Sequence, residues 1–151
     1  MRMIIQSRLI VFSDYECGQQ LQEHQKCCRQ SGRNYRMSIK GIYDIHCHIV
    51  PGVDDGATDI GETVKLLRME YEQGVRTVIT TPHFRFRMFE TPAEKVREQF
   101  RLVEKAASEI SPDLHVYLGC EFHANMEMLP MLREQKVMTM AGSRYVLIEF
   151  S

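Results

Sequence analysis

The order of apolar and polar positions divides the chain into an irregular beginning and a long regular part. From residue 39 onward, short apolar runs alternate with segments whose apolar residues recur at helical spacing. The beginning lacks such a repeat and becomes polar after residue 19. We therefore expect residues 1–36 to be a poorly ordered extension or a mis-assigned start, and residues 37–151 to form the folded domain.

Four apolar runs in the regular part predict β-strands. They are rich in β-branched and aromatic residues, and glycine, proline or polar residues bound them. The predicted strands cover residues 42–47, 75–81, 114–118 and 145–150.

The first predicted helix follows Asp59, which together with Glu62 fits a capping box. Gly74 marks its end, since glycine is common just after a helix C-terminus. The apolar residues on one face recur every three or four positions and are expected to be buried: Ile60, Val64, Leu67 and Tyr71.

The second predicted helix begins at Thr91, which is expected to cap the N-terminus, with Pro92 in the first helical position. A shorter third helix is expected at residues 126–134. The expected buried face of the second helix comprises Val96, Phe100, Val103, Ala107 and Ile110.

Strands that alternate with helices predict an α/β fold built from parallel βα units. In such folds, functional sites gather at the C-terminal ends of the strands. Residues with metal-binding side chains occupy these positions: His46, His48, His83, Glu121 and Glu149.

These side chains are suited to a metal centre. His46 and His48 are two positions apart, so both imidazoles project to one face of an extended backbone. Imidazoles joined by carboxylates favour Mn²⁺, Fe²⁺, Zn²⁺ or Co²⁺ over Ca²⁺. With Asp55 added, the donors exceed one tetrahedral site and indicate a multi-metal cluster. Adjacent metals can generate hydroxide and hold a phosphoryl group.

Structural interpretations of the same residues stay open at this point. A single His-x-His pair is a weak signal. Glu149 could face solvent on an edge strand, and the Asp54-Asp55-Gly56 sequence is by itself more typical of a turn.

Other histidines and cysteines are interpreted as structural. Cys27 and Arg33 have the spacing of thiol-based phosphatases, but no buried strand precedes them, and we reject this pair as an active site. Residues expected to be structural or at the surface are His24, His115 and His123, and those expected to pack are Cys47 and Cys120.

Composition narrows the classes of function. A length of 151 residues allows one ordinary domain. The net charge of −1 argues against nucleic-acid binding, and no apolar run approaches the roughly 20 residues that cross a bilayer. Five cysteines without regular spacing favour a reducing, cytoplasmic setting over a disulfide framework.

A longer motif resembles a known family. Residues 43–56, YDIHCHIVPGVDDG, closely resemble the opening of the bacterial PHP-domain tyrosine-protein phosphatases of capsule and exopolysaccharide operons. Further segments are similar to this family in the same order: residues 73–77, 81–83, 88–92, 119–121 and 143–150.

The resemblance implies a distorted, TIM-like (β/α) barrel with a metal cluster, most often of manganese. The cluster would hydrolyse phosphotyrosine on the tail of a cognate autophosphorylating kinase that controls polysaccharide synthesis. Asp55 and Arg85 are expected to act in catalysis, and Arg87 is a further candidate contact for phosphate or an acidic peptide. The positions that match metal ligands are His46, His48, Asp55, His83, Glu121 and Glu149.

The resemblance also implies a longer domain, because family members extend roughly twice as far past the motif. Their second half supplies a further histidine with a nearby arginine and an Asp-x-His pair. We therefore expect a truncated barrel with an incomplete ligand shell, and a final strand with an unpaired edge unless another polypeptide covers it. A second copy of the chain or the missing half could supply that cover.

Three functions are consistent with these features. The first is a tyrosine phosphatase impaired by truncation. The second is another PHP phosphoesterase, such as a histidinol-phosphate phosphatase, although the PGVDDG segment speaks against it. The third is an inactive fragment that acts at most as a binding module.

Overall fold

The fold described here is that of a computed structural model, which describes residues 2–5, 10–12 and 41–150. The predicted extension at residues 1–36 lies largely outside this part, as do His24, Cys27 and Arg33. The boundary at residues 36 and 37 therefore stays a prediction.

Strands and helices alternate along the described chain. The strands are β1 (Arg2–Ile5), β2 (Ile10–Phe12), β3 (Ile42–Cys47), β4 (Val75–Thr80), β5 (His83–Phe84), β6 (His115–Leu118), β7 (Glu121–His123) and β8 (Tyr145–Glu149). The helices are α1 (Ile60–Glu72), α2 (Ala93–Ile110) and α3 (Met128–Arg133), followed by a 3-10 turn at Met140–Gly142. Among these helices, none has both the length and the hydrophobicity that crossing a membrane requires.

The strands from β3 to β8 pair in parallel, which confirms the mixed α/β prediction. One sheet has the order β2-β3-β4-β6 and the other has the order β1-β8-β7-β5. Two residues separate β4 from β5, and two separate β6 from β7. Across these breaks the backbone pairing continues, since Gly119 N–H donates to Thr80 O at 2.7 Å and Glu121 N–H donates to Pro82 O at 3.0 Å. The second and third predicted strands thus continue past their expected ends.

The edge of the last strand differs from the expectation. β8 pairs in parallel with β7 on one side and with β1 on the other, in the register Arg2↔Tyr145 to Ile5↔Ile148. The prediction of an unpaired edge is therefore wrong within the described residues, because the backbone of β1 pairs with the edge of β8 that was expected to be free.

Helix α1 begins as predicted, with a different partner for its glutamate. Asp59 caps the helix by accepting a hydrogen bond from Glu62 N–H at 2.9 Å. The Glu62 carboxylate accepts from the Thr58 backbone N–H and hydroxyl instead of from Asp59. Ile60, expected to be buried, is exposed, and Thr63 is buried in its place with its hydroxyl donating to Ile49 O at 2.9 Å.

Helix α2 begins one residue later than predicted. Pro92 is its N-cap residue, and no side chain caps it. The Thr91 hydroxyl donates to Val53 O at 2.8 Å, so it holds the loop after β3 instead of the helix end. The predicted apolar face is otherwise correct, with Val96, Phe100, Val103 and Ala107 buried and Ile110 packed against them.

The main core lies where α1 and α2 cover β3, β4 and β6. Leu67 of α1, Val78 of β4 and Val103 of α2 are completely buried in one cluster. A second cluster around Phe122 and Ile148 packs against α3. Helices α1 and α2 therefore pack on the strands that lead to the candidate site.

Leu67 provides a test of this core. Leu67→Ala should lower the free energy of unfolding by about 2–5 kcal/mol, because it leaves a cavity among buried side chains. Leu102→Ala on α2 is the matched control, since Leu102 is exposed and its loss should cost less than about 0.5 kcal/mol. Urea unfolding followed by circular dichroism measures both, and equal losses would contradict the described packing.

Candidate metal centre

The six predicted metal ligands lie together around the ends of β3 and β8 and the starts of β5 and β7. The register of the second sheet places His83 directly opposite Glu121, and Glu149 opposite His123. His46 lies near the end of β3, and His48 follows in the next loop. Chain segments that are distant in sequence therefore deliver their donor atoms to one region.

Glu121 is the centre of this arrangement. Its side chain is buried, and its Oε2 lies 3.0 Å from His46 Nε2, 3.2 Å from His48 Nε2 and 3.3 Å from His83 Nδ1. Its Oε1 is buried with no hydrogen-bond partner among the described residues. A buried carboxylate needs compensation for its charge and its lone pairs. A cation among these donors would provide both.

The donor atoms form three overlapping groups, each with its ligand atoms within 4.8 Å of one another. His48 belongs to two of the groups, and so do His83 and Glu121. Nitrogen and oxygen donors of this kind suit a transition-metal dication. The groups are His46, His48 and Glu121; His48, Asp55 and His83; and His83, Glu121 and Glu149. Because the three groups share members but are not identical, the arrangement fits more than one ion.

The electrostatics keep the Glu121 carboxylate ionised. Burial by itself would raise the pKa of Glu121, but hydrogen bonds from His46 and His48 outweigh it and lower the pKa to about 2. Burial would likewise lower the pKa of His48, but its bonds to the Asp54 and Glu121 carboxylates raise the pKa to about 9. A metal ion at His48 would therefore have to displace a proton, as is general for imidazole ligands.

Asp55 and Arg85, the predicted catalytic residues, lie at the margin of the site. The Asp55 side chain is 62% exposed, with Oδ1 3.8 Å from His83 Nε2. Arg85 follows His83 by two residues and pairs through its backbone with Phe89. Within the described chain, no hydrogen bond or ion pair joins its guanidinium to the six candidate ligands.

Asp54 is a site residue that the sequence analysis interpreted only as part of a turn. Its buried Oδ2 accepts from His48 Nδ1 at 2.8 Å and from His83 N–H at 2.9 Å, and its Oδ1 accepts from Gly56 N–H at 3.0 Å. The last bond is the expected turn contact. The first fixes the His48 ring so that Nε2 faces the centre, as carboxylates behind metal-bound histidines do.

The pKa of Asp54 shows which protonation state of its carboxyl group these hydrogen bonds favour. Burial would raise this pKa, but the hydrogen bonds from His48 and from the His83 and Gly56 backbone outweigh it and lower the pKa. Asp54 therefore stays ionised at neutral pH and acts as an acceptor toward His48.

Gly56 allows the loop to pack this closely. A Cβ atom at this position would lie 2.1 Å from His48 O and 2.5 Å from His48 Cβ. Ala57 N–H also donates to His48 O at 2.9 Å. Any side chain at position 56 would push the loop, and with it Asp54, away from His48.

His123 is the second residue that the sequence analysis missed, because it was expected to be structural or at the surface. It is half-buried, and its Nδ1 lies 3.4 Å from Glu149 Oε2. His123 is two residues beyond Glu121 on β7, so both project to the same face of the strand. That spacing could have identified it, had the sequence shown that the strand continues past Gly119.

The parallel strands and the helices between them make this an α/β protein. The imidazoles and carboxylates that meet at these strands form a candidate multi-metal centre. Residues 42–151 match the family described as "Capsular polysaccharide synthesis, CpsB/CapC". The chain belongs to this family.

Curated relatives share the same region. The chain is 45% identical over 110 residues to tyrosine-protein phosphatase CpsB of Streptococcus pneumoniae, which covers 73% of this chain and 45% of that protein. It is 35% identical over 109 residues to tyrosine-protein phosphatase YwqE of Bacillus subtilis, covering 72% of this chain and 43% of that protein. The chain thus spans a little less than half the length of these relatives.

A solved structure shares the fold. It comes from a study of YwqE and CpsB, described there as unique metal-dependent tyrosine phosphatases, and it superposes with a TM-score of 0.66 at 34% identity. The match covers 72% of this chain and 44% of the solved chain.

The convergence of donors predicts that metal stabilises the folded chain. Adding Mn²⁺ at about 100 times its dissociation constant should raise the free energy of unfolding by about 2.7 kcal/mol. A His46→Ala/His48→Ala double variant should lose this gain, because it removes two of the three imidazoles at Glu121. Thermal unfolding with and without Mn²⁺ measures the effect.

His115→Ala is the control for that experiment, since His115 lies on β6 and is exposed. It should keep the full stabilisation. A shift that survives in the double variant would place the metal elsewhere.

The Asp54 contacts predict a positioning effect on metal affinity. Asp54→Asn keeps the size of the side chain but presents a neutral amide to His48 Nδ1, so the ring loses its fixed orientation. The Mn²⁺ dissociation constant should rise about 10- to 100-fold in isothermal titration. Asp59→Asn, which changes an exposed helix cap, should bind Mn²⁺ like the parent chain. Equal affinities for the Asp54 variant and the parent would contradict this role.

Proposed function

We propose that this chain carries the metal site of a metal-dependent protein-tyrosine phosphatase that regulates capsular polysaccharide synthesis. The observation that carries the proposal is the buried Glu121 carboxylate, which three imidazoles from β3, the loop after it and β5 surround. The solved relatives, described as metal-dependent tyrosine phosphatases, add support. We propose Mn²⁺ as the resident ion, with Fe, Zn and Co as alternatives for the same nitrogen and oxygen donors.

The proposed ligands are the six predicted residues. Bound metal would supply a water of lowered pKa and a positive charge for the phosphoryl oxygens. Behind the ligands, Asp54 holds His48 in its productive ring orientation, and Phe89 stacks on the His83 ring with centroids 5.5 Å apart. The six are His46, His48, Asp55, His83, Glu121 and Glu149.

Asp55 and Arg85 are proposed to act on the substrate. Asp55 is the most exposed of the six ligands, so an incoming phosphoester meets this carboxylate first, and it can accept a hydrogen bond from the attacking water. Arg85, two residues beyond His83 in the chain, is proposed to bind phosphoryl oxygens through two parallel hydrogen bonds. Neither role requires a covalent intermediate on the protein.

The described cysteines do not favour a thiol mechanism. Burial raises the pKa of Cys120 to about 12 and holds the pKa of Cys47 well above its ordinary value. Reactive cysteines need the opposite shift, because the thiolate is the nucleophile. This supports metal-based chemistry over cysteine-based chemistry at these positions.

We further propose that the parallel strands are the first strands of a PHP-type (β/α) barrel. Their side-by-side order, with α1 and α2 in the connections, supports this architecture. The matched relatives extend over about twice the aligned length, so a second copy of the chain or further polypeptide is proposed to complete the ligand shell. The proposed partner is the phosphotyrosine tail of a cognate autophosphorylating tyrosine kinase, and the chain itself is proposed to act in the cytoplasm.

Hydrolysis of a phosphotyrosine peptide by the full chain tests the proposal. With Mn²⁺ present, we expect turnover that a chelator abolishes and that His46→Ala/His48→Ala lowers at least about 100-fold, the scale of a lost metal site. His115→Ala should retain turnover. Phosphoserine peptide and histidinol phosphate, supplied in parallel, should be poorer substrates.

Two outcomes would contradict the proposal. Turnover that is indifferent to the chelator or to the double variant would exclude this site as its source. A folded chain that binds Mn²⁺ but hydrolyses no phosphotyrosine would show that the chain by itself is not the enzyme.

A further inference from the structure

A tight turn directly after β5 presents three exposed side chains at its tip, Phe86, Arg87 and Met88, that the metal centre does not use. We propose that residues 85–89, termed the 85–89 hairpin, dock the acidic peptide segment that flanks a phosphotyrosine. This inference rests on the proposed function, because the metal centre would hold the phosphate while the hairpin holds the neighbouring residues.

The hairpin has a defined backbone structure. Arg85 N–H donates to Phe89 O at 2.9 Å, and Phe89 N–H donates back to Arg85 O at 2.8 Å. Met88 N–H also donates to Arg85 O at 3.0 Å. Arg87, at the tip, has a φ of 63°, a conformation that is uncommon for residues other than glycine. These bonds hold the backbone of the turn in one conformation.

The base of the hairpin adjoins the candidate metal centre. The Phe89 ring is stacked on the His83 ring, with centroids 5.5 Å apart and an angle of 11° between the planes. The tip residue Arg87 is four residues beyond His83 in the chain. Because an extended chain spans at most about 3.5 Å per residue, the tip lies within about 14 Å of His83. A peptide anchored by its phosphate at the centre would therefore pass close to the tip.

The tip has the chemistry of a peptide-binding surface. Phe86 is 54% exposed and Met88 is 62% exposed, and adjacent exposed apolar side chains of this size are typical of interaction sites. The Arg87 guanidinium lies 5.4 Å from the centroid of the Phe86 ring, so its charge is presented beside the apolar surface.

The charge of the hairpin selects the occupant. Its exposed tip carries Arg87 and no acidic residue, whereas Arg85 is assigned to the phosphoryl group. A segment with acidic and apolar side chains next to a phosphotyrosine complements this surface in both charge and hydrophobicity. A basic segment, or one of small polar residues, does not.

Binding of non-hydrolysable peptides to the full chain tests the inference. One fluorescent peptide carries a phosphonate analogue of phosphotyrosine between acidic and apolar residues, and a second carries the analogue between glycine and serine. In anisotropy titrations with Mn²⁺, the first should bind more tightly. A Phe86→Ala/Arg87→Gln/Met88→Ala variant should weaken it about tenfold, as loss of central contacts does, and should leave the second peptide unaffected.

A Met69→Ala/Leu102→Ala variant is the matched control, because it removes exposed apolar side chains from the outer helices α1 and α2. It should bind both peptides like the parent chain. Equal affinity of the parent for the two peptides, no binding of either, or an equal loss in the control would overturn the inference. Self-association that the hairpin variant abolishes, without an effect on peptide binding, would assign the surface to a second copy of the chain.

Hydrolysis of p-nitrophenyl phosphate by the parent chain reports separately on the proposed function. This small ester has no flanking residues to reach the hairpin. If it is not hydrolysed while the two peptides still differ in affinity, the docking surface stands and the proposed catalysis fails.

Discussion

The interaction on which the described structure depends is the enclosure of one carboxylate, that of Glu121, by three imidazoles. A buried negative charge is costly unless positive charge or hydrogen-bond donors compensate it. His46, His48 and His83 do so at 3.0 to 3.3 Å, and they come from two other strands and a loop. The ends of these strands must therefore stay together, and the same enclosure provides nitrogen and oxygen donors that would hold a metal ion.

Backbone pairing sets the geometry of this enclosure. His83 and Glu121 face each other because the pairing of the second and third predicted strands resumes after short interruptions at residues 81–82 and 119–120. Side chains alternate between the faces of a strand, so a shift of one residue would turn either group away from the site. Glycine at position 119 suits the close pairing at the second interruption, since a Cβ there would lie 3.3 Å from Thr80 O, closer than most Cβ contacts.

The loop after β3 shows how one short segment can serve both the fold and the site. Asp54 closes a turn through Gly56 N–H and at the same time orients His48 and holds the His83 backbone. The turn interpretation was correct but incomplete, because the bond to His48 orients a ring of the candidate site and the bond from the His83 backbone joins the loop to β5. His123 was missed for a related reason: its face on the strand follows from a register that no local pattern reveals. Thr91 was wrongly predicted as a cap because Val53 O competes for its hydroxyl.

The sequence by itself determined the alternation of strands and helices, the apolar face of α2, and the six candidate ligands at or near strand ends. These features follow from local periodicity and from the general placement of sites in parallel α/β folds. Only the tertiary structure decided which atoms meet, that Asp54 orients His48, and that Asp55 stays exposed at the rim. Those outcomes depend on pairing between distant segments and on burial, and both are properties of the assembled sheets, which no single segment contains.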